Sequence, residues 1–148
     1  MSELQQSHNE ALGTHERSAL ILVVERDPHV RALELFFLNE AGFKVEFASD
    51  GVVALERARE LQPDIIISEV LVPKLDGLSL CRALRSDAKL RNVVVLIFSI
   101  LAVESRAREA GADAFLRKPL AESRLVDTVR ELLGARRTVR PDPEGRAT

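Results

Sequence analysis

The chain holds a single cysteine, Cys81, among 148 residues. An internal disulfide and a cysteine-based zinc cluster are therefore excluded. No apolar run approaches the roughly 20 residues that a membrane span needs. Charge of one sign is missing too: 21 Lys and Arg stand against 23 Asp and Glu, a formal net charge of −2. That balance argues against a protein that grips nucleic acid by bulk charge, so neither nucleic acid nor membrane is expected as a direct partner. The opening stretch, MSELQQSHNEALGTHER, is polar and slightly acidic, unlike a signal peptide. A cytoplasmic protein is the expectation. There is no glycine-rich phosphate loop. The three histidines, His8, His15 and His29, are scattered and suggest no metal site.

What remains is the make-up of an ordinary globule, long enough to bury one core without staples. Met1 to Ser18 and Ala135 to Thr148 have no sustained apolar period and read as flexible tails around a domain spanning 19–134. The C-terminal tail is locally basic, with four arginines against Asp142 and Glu144. Between the tails, short β-branched runs alternate with helical stretches. Ala19–Val24, Ile65–Ile67 and Val93–Phe98 are continuous apolar runs, as strands buried on both faces should be. Phe43–Ala48 alternates, which suits an edge strand, and Asp113–Leu116 is a fifth candidate. Helices are expected over about 28–41, 51–62, 76–86, 101–110 and 120–133, bounded by Gly42, Pro63, Asn92, Gly111 and Pro119. Five β-α units in series imply an α/β fold, a parallel sheet with helices on both faces. In such a sheet the functional crevice lies beyond the carboxyl ends of the strands. The residues there are Glu25, Arg26 and Asp27, then Ser49 and Asp50, Glu69, Ser99 and Lys118.

The stretches ILVVERDPHVR (21–31), PDIIISEVLVPKLDGLSLCRALR (63–85), VVVLIFS (93–99) and AGADAFLRKP (110–119) resemble the receiver domain of two-component response regulators. The resemblance runs from about Leu20 to Leu133. It implies a flavodoxin-like (βα)5 fold with strand order 2-1-3-4-5. It also implies a reaction: an aspartate ending the third strand takes up a phosphoryl group with the help of Mg²⁺, held partly by two acids after the first strand. A hydroxyl after the fourth strand and a lysine after the fifth complete the set. Such chemistry is mostly positioning and charge neutralisation.

Position by position, part of that set is present. Lys118 with Pro119 matches the family's Lys-Pro, where a cis peptide is expected. Ser99 matches the hydroxyl, and Glu25 the first acid. Arg26 stands where the second acid, the direct metal ligand, should be, and Glu69 stands at the aspartate. Glu25 and Glu69 sum with Arg26 and Lys118 to zero, so the pocket is expected to neutralise itself without metal. A divalent ion beside a permanent guanidinium is repelled by several kcal/mol even at an effective dielectric of about 20. Asp27 is the one further carboxylate in reach; the resemblance turns that position away. Glu69 is one methylene longer than aspartate, and misplacement on that scale costs on the order of a hundredfold in rate. Three readings of Glu69 stay open: a constitutive mimic or lock, neutral drift, or a surviving phosphoacceptor.

Phe115 occupies the family's switch aromatic but lacks a hydroxyl, so a core role competes with a switch role. The Ser99–Gly111 segment is about one helical turn shorter than the resemblance implies. In the first helix, Val30, Leu33, Phe37 and Ala41 form the sheet-facing stripe at roughly 100° per residue. Leu35, Phe36 and Leu38 are left over as an outward apolar surface, for a partner or a second copy in a homodimer. In the fifth helix, Leu125, Val129 and Leu132 suffice for the core. Cys81 sits among leucines as a buried structural thiol. Together these residues suggest a stand-alone pseudo-receiver, not an enzyme. It would bind another signalling protein without phosphorylation and without Mg²⁺. The alternative is a working phosphoacceptor in a phosphorelay.

Overall fold

Alternate residues of a strand point to opposite faces, so a continuous β-branched run needs cover on both sides. The computed structural model, which describes residues 18–119 and 122–139, supplies that cover. The order is β1 (Leu20–Val24), α1 (Pro28–Glu40), β2 (Lys44–Ala48), α2 (Gly51–Leu61), β3 (Ile65–Ser68), α3 (Gly77–Ser86), β4 (Val94–Ser99), α4 (Glu104–Glu109), β5 (Ala114–Arg117) and α5 (Glu122–Val139). The sheet is parallel throughout, with strand order β2-β1-β3-β4-β5. This is the doubly wound, flavodoxin-like order expected from the sequence.

The two faces carry separate cores. Leu22, Val24, Ile66, Val95 and Ile97 pack under Ala54, Ala58, Leu80, Leu84 and Ala107 of α2, α3 and α4. Ile21, Val23, Ile65, Ile67 and Leu96 pack under Leu38 of α1 and Leu125 and Val129 of α5. β2 lies at one edge and keeps Lys44 and Phe47 exposed while Ala48 is buried. Three aspartates start three helices by accepting backbone amides. Asp27 takes His29 N and Val30 N, Asp50 takes Val53 N, and Asp76 takes Leu78 N and Ser79 N. Among the described residues no helix is long and apolar enough to cross a membrane.

Three expectations are corrected. First, α5 continues through Ala135 to Val139, past the predicted boundary at residue 134. Gly134 does not stop it, because Leu132 and Leu133 pack on the sheet and Arg136 Nη1 donates to Asp64 O at 2.8 Å. The rest of the predicted tails, residues 1–17 and 140–148, lies outside the described residues. Second, α4 starts three residues later than expected and has six residues; Val103 at its start offers no side-chain cap. Third, α1 is rotated from the predicted phase. Leu38 is fully buried, whereas Leu33 is 57% and Phe36 56% exposed. Leu35 is half-buried. The sheet-facing line therefore runs through Glu34 and Leu38, one turn apart. Leu38 is core, not interface. The helix is apolar nearly all round, so periodicity alone did not determine its phase.

Candidate functional site

Parallel register brings the strand ends level. Val24 pairs with both Ala48 and Ser68, and Ser99 pairs with Arg117. The ladder then extends one residue further: Glu25 N donates to Ala48 O, Glu69 N to Val24 O and Lys118 N to Ser99 O. Glu25, Glu69, Ser99 and Lys118 are thereby fixed side by side at the carboxyl edge of the sheet, as the sequence predicts.

Lys118 lies between the two acids. Its Nζ donates to Glu25 Oε1 at 2.5 Å and to Glu69 Oε1 at 3.1 Å, and all three side chains are nearly buried. The ammonium also stands 5.2 Å from the Phe98 ring centroid, within cation–π range. The Lys118–Pro119 peptide is cis, as the resemblance implies.

Glu69 has five donors. Its Oε2 accepts Val70 N at 2.7 Å, Leu71 N at 3.3 Å and the Ser99 hydroxyl. Its Oε1 accepts Ile100 N at 3.2 Å as well as Lys118. Ser99 Oγ in turn accepts Leu101 N at 3.0 Å. A carboxylate offers about four lone-pair sites, so this one is saturated. Burial works to raise the pKa of Glu69, but Ser99, Lys118 and the Leu71 amide together outweigh it and hold the group below the usual carboxylate value. Burial likewise disfavours the Lys118 ammonium, yet Glu25 and Glu69 carry its pKa above the ordinary lysine value.

Arg26 is not part of this cluster. It is exposed and makes no hydrogen bond or ion pair among the described residues. The expected neutral set of four charges is therefore a set of three, Glu25, Glu69 and Lys118, with a sum of −1. Adjacent residues at a strand end point to opposite sides, so once Glu25 turns inward Arg26 turns out. Asp27 also stays outside, capping α1, where the His29 and Val30 amides hold its pKa below the ordinary value. Its own amide donates to Glu25 Oε2 at 3.1 Å. Phe115 is half-buried and packs against the core beneath α3 and α4.

Sequence reasoning missed Glu34. It is 5% exposed, and its Oε1 has no hydrogen-bond partner among the described residues. Burial pushes its pKa up to about 8; Lys118 opposes the rise, and Glu25 and Glu69 add to it. Its position four residues after Val30 and four before Leu38 was the available signal. Cys81 is fully buried and burial pushes its thiol up to about 11, so it stays protonated.

The resemblance implies magnesium, and the donor set can be tested against it. Magnesium takes hard oxygen ligands in a near-octahedral array. The cluster offers two carboxylates, and each of their four oxygens already accepts a hydrogen bond. Among the described residues no three His, Cys, Asp or Glu side chains gather as a ligand set. Arg26, at the second acid's position, has no oxygen to give. The residues present do not fit the ion.

The chain is similar to several known proteins. It is 41% identical over 128 residues to the response regulator MprA of Mycobacterium ulcerans, covering 86% of this chain and 54% of that protein. It is 35% identical over 123 residues to the DNA-binding dual master transcriptional regulator RpaA of Synechocystis sp., covering 81% and 50%. The chain thus spans about half the length of the curated relatives it matches. Its structure superposes with a TM-score of 0.76 on the signal receiver domain of a signal transduction histidine kinase from Syntrophus aciditrophicus, at 34% identity, covering 84% of this chain and 96% of that one. The family model described as the response regulator receiver domain matches residues 21–130. With the fold, the crevice and the Lys-Pro signature in agreement, the chain belongs to the response regulator receiver domain family.

Proposed function

We propose that this domain is a pseudo-receiver: a protein-interaction module of a two-component signalling system that works in the cytoplasm without phosphorylation and without Mg²⁺. Its partner is another signalling protein. One observation carries the reading, the saturation of Glu69 by five donors. A nucleophile attacks through a free lone pair, and a general electrostatic site must leave room for the incoming phosphoryl oxygens. Here the Ser99 hydroxyl and the Lys118 ammonium, the groups that would receive those oxygens, are already bonded to the longer acid. Glu69 stands in for a modified aspartate and holds one state of the pocket.

The test uses a small-molecule phosphodonor. Incubation of the full chain with acetyl phosphate and Mg²⁺ is expected to give no covalent adduct by intact mass. Millimolar Mg²⁺ is expected to leave the melting temperature unchanged. The double variant Arg26→Asp/Glu69→Asp is expected to gain a metal-dependent thermal shift, whereas Glu69→Asp alone is not. A stoichiometric phosphoryl adduct on Glu69 of the unaltered chain overturns the proposal.

A further inference from the structure

Glu69 also sets the spacing of two loops. Its Oε2 holds the amide of Leu71, after β3, and its Oε1 holds the amide of Ile100, after β4. One carboxylate thus fixes both residues at the mouth of the crevice, where their side chains are 47% and 53% exposed. Single exposed apolar residues need no explanation, but a pair pinned by one buried group forms a defined contact.

The charges around this pair are unequal. Arg117 lies beside Ile100 and donates from Nε to its carbonyl at 2.8 Å. Its other guanidinium nitrogens, and all those of Arg26, have no hydrogen bond or carboxylate partner among the described residues. The acids of the same rim are engaged: Asp27 caps α1, while Asp50 caps α2 and pairs with Lys74 at 3.8 Å. Arg117 thereby sets a positive charge beside the apolar pair, and exposed Arg26, just after β1 and hence next to the end of β3, adds a second at the same edge of the sheet.

We infer that the crevice mouth docks a short segment of a partner protein in which large apolar side chains are flanked by carboxylates. Leu71 and Ile100 receive the apolar side chains, and Arg26 and Arg117 receive the acids in bidentate fashion. Two half-exposed side chains are far less than the roughly 1,200 Å² of a stable interface, so the contact is a segment's and its lifetime is short. This inference rests on the interaction-module reading and adds the partner's chemistry.

The test is amide chemical-shift mapping on the isotope-labelled full chain. The probes are a synthetic peptide of alternating acidic and Leu/Ile residues, a counterpart with Lys for the acids, and a counterpart with Ser for the apolar residues. The acidic-apolar peptide is expected to shift Leu71, Ile100 and Arg117, and the two counterparts are not. Leu71→Ser/Ile100→Ser is expected to weaken binding by about tenfold or more, which corresponds to about 1.4 kcal/mol. Arg26→Glu/Arg117→Glu is expected to abolish it and to transfer the response to the Lys counterpart. Equal responses to the acidic and Lys peptides, shifts mapping away from the mouth, or no shifts at millimolar peptide would each overturn the inference. A phosphoryl adduct under the phosphodonor treatment sinks the pseudo-receiver reading instead, and is scored on the same sample.

Discussion

Two buried glutamates show opposite solutions to one electrostatic problem. Glu69, at the carboxyl edge of β3, and Glu34, on the sheet-facing side of α1, are each 5% exposed. Glu69 is charged because five donors, the Lys118 ammonium among them, compensate for the lost water. Glu34 has an oxygen with no donor, and burial leaves it protonated up to about pH 8. Burial alone therefore does not decide the charge of a group; the donors within reach decide it. The crevice is a polar network closed on itself, and the α1 interface is an apolar layer that contains one imperfectly accommodated acid.

Removing the ammonium should break the contrast most severely. Lys118→Met leaves Glu25 and Glu69 buried together without a counter-charge, and is expected to cost about 3–5 kcal/mol by urea denaturation. Glu34→Leu should do the opposite and stabilise, by on the order of 2 kcal/mol at pH 8. The folded pKa of Glu34, about 8, exceeds its ordinary value of 4.5. Stability is therefore full below the ordinary value and declines as pH rises through the folded one. The gain in Glu34→Leu should vanish near pH 4, and a flat difference across that range would refute the assignment. Glu69 has the reverse slope: its pKa is lowered, so its contribution is present at neutral pH and is lost on acidification. Ser99→Ala removes one charge-assisted donor from Glu69 and is expected to cost about 1.5–3 kcal/mol, read from the same denaturation curves. Arg26→Ala should have the smallest effect, within about 0.5 kcal/mol, because that side chain is exposed and unpaired. A clear loss in melting temperature would place Arg26 back in the cluster.

The strands were legible because each carries its own message: Ile65–Ile67 and Val93–Phe98 are too short and too β-branched for helices, and α1, α2 and α3 begin at aspartate caps. The site residues Glu25, Glu69, Ser99 and Lys118 followed from strand ends and from family resemblance together. Arg26 was misplaced by charge arithmetic, since summing charges ignores which way consecutive side chains leave a strand. The phase of α1 was misread because Leu33, Leu35, Phe36, Phe37 and Leu38 leave no polar gap to mark the outside. Glu34 was hidden by the same helix: a carboxyl is assigned to solvent by default, and only packing puts it indoors. The end of α5 was set too early because Asp64, the acceptor for Arg136, lies 72 positions away in sequence.

That last contact has an architectural result. Asp64 opens β3 from its amino side, so Arg136 ties the final turns of α5 to the pole of the domain opposite Glu69. The C-terminal end of α5 therefore lies on the side of the sheet away from the crevice rim. The last turn of α5 and the Glu69 cluster thus stand in opposite hemispheres of the domain, tied to the two ends of the same strand.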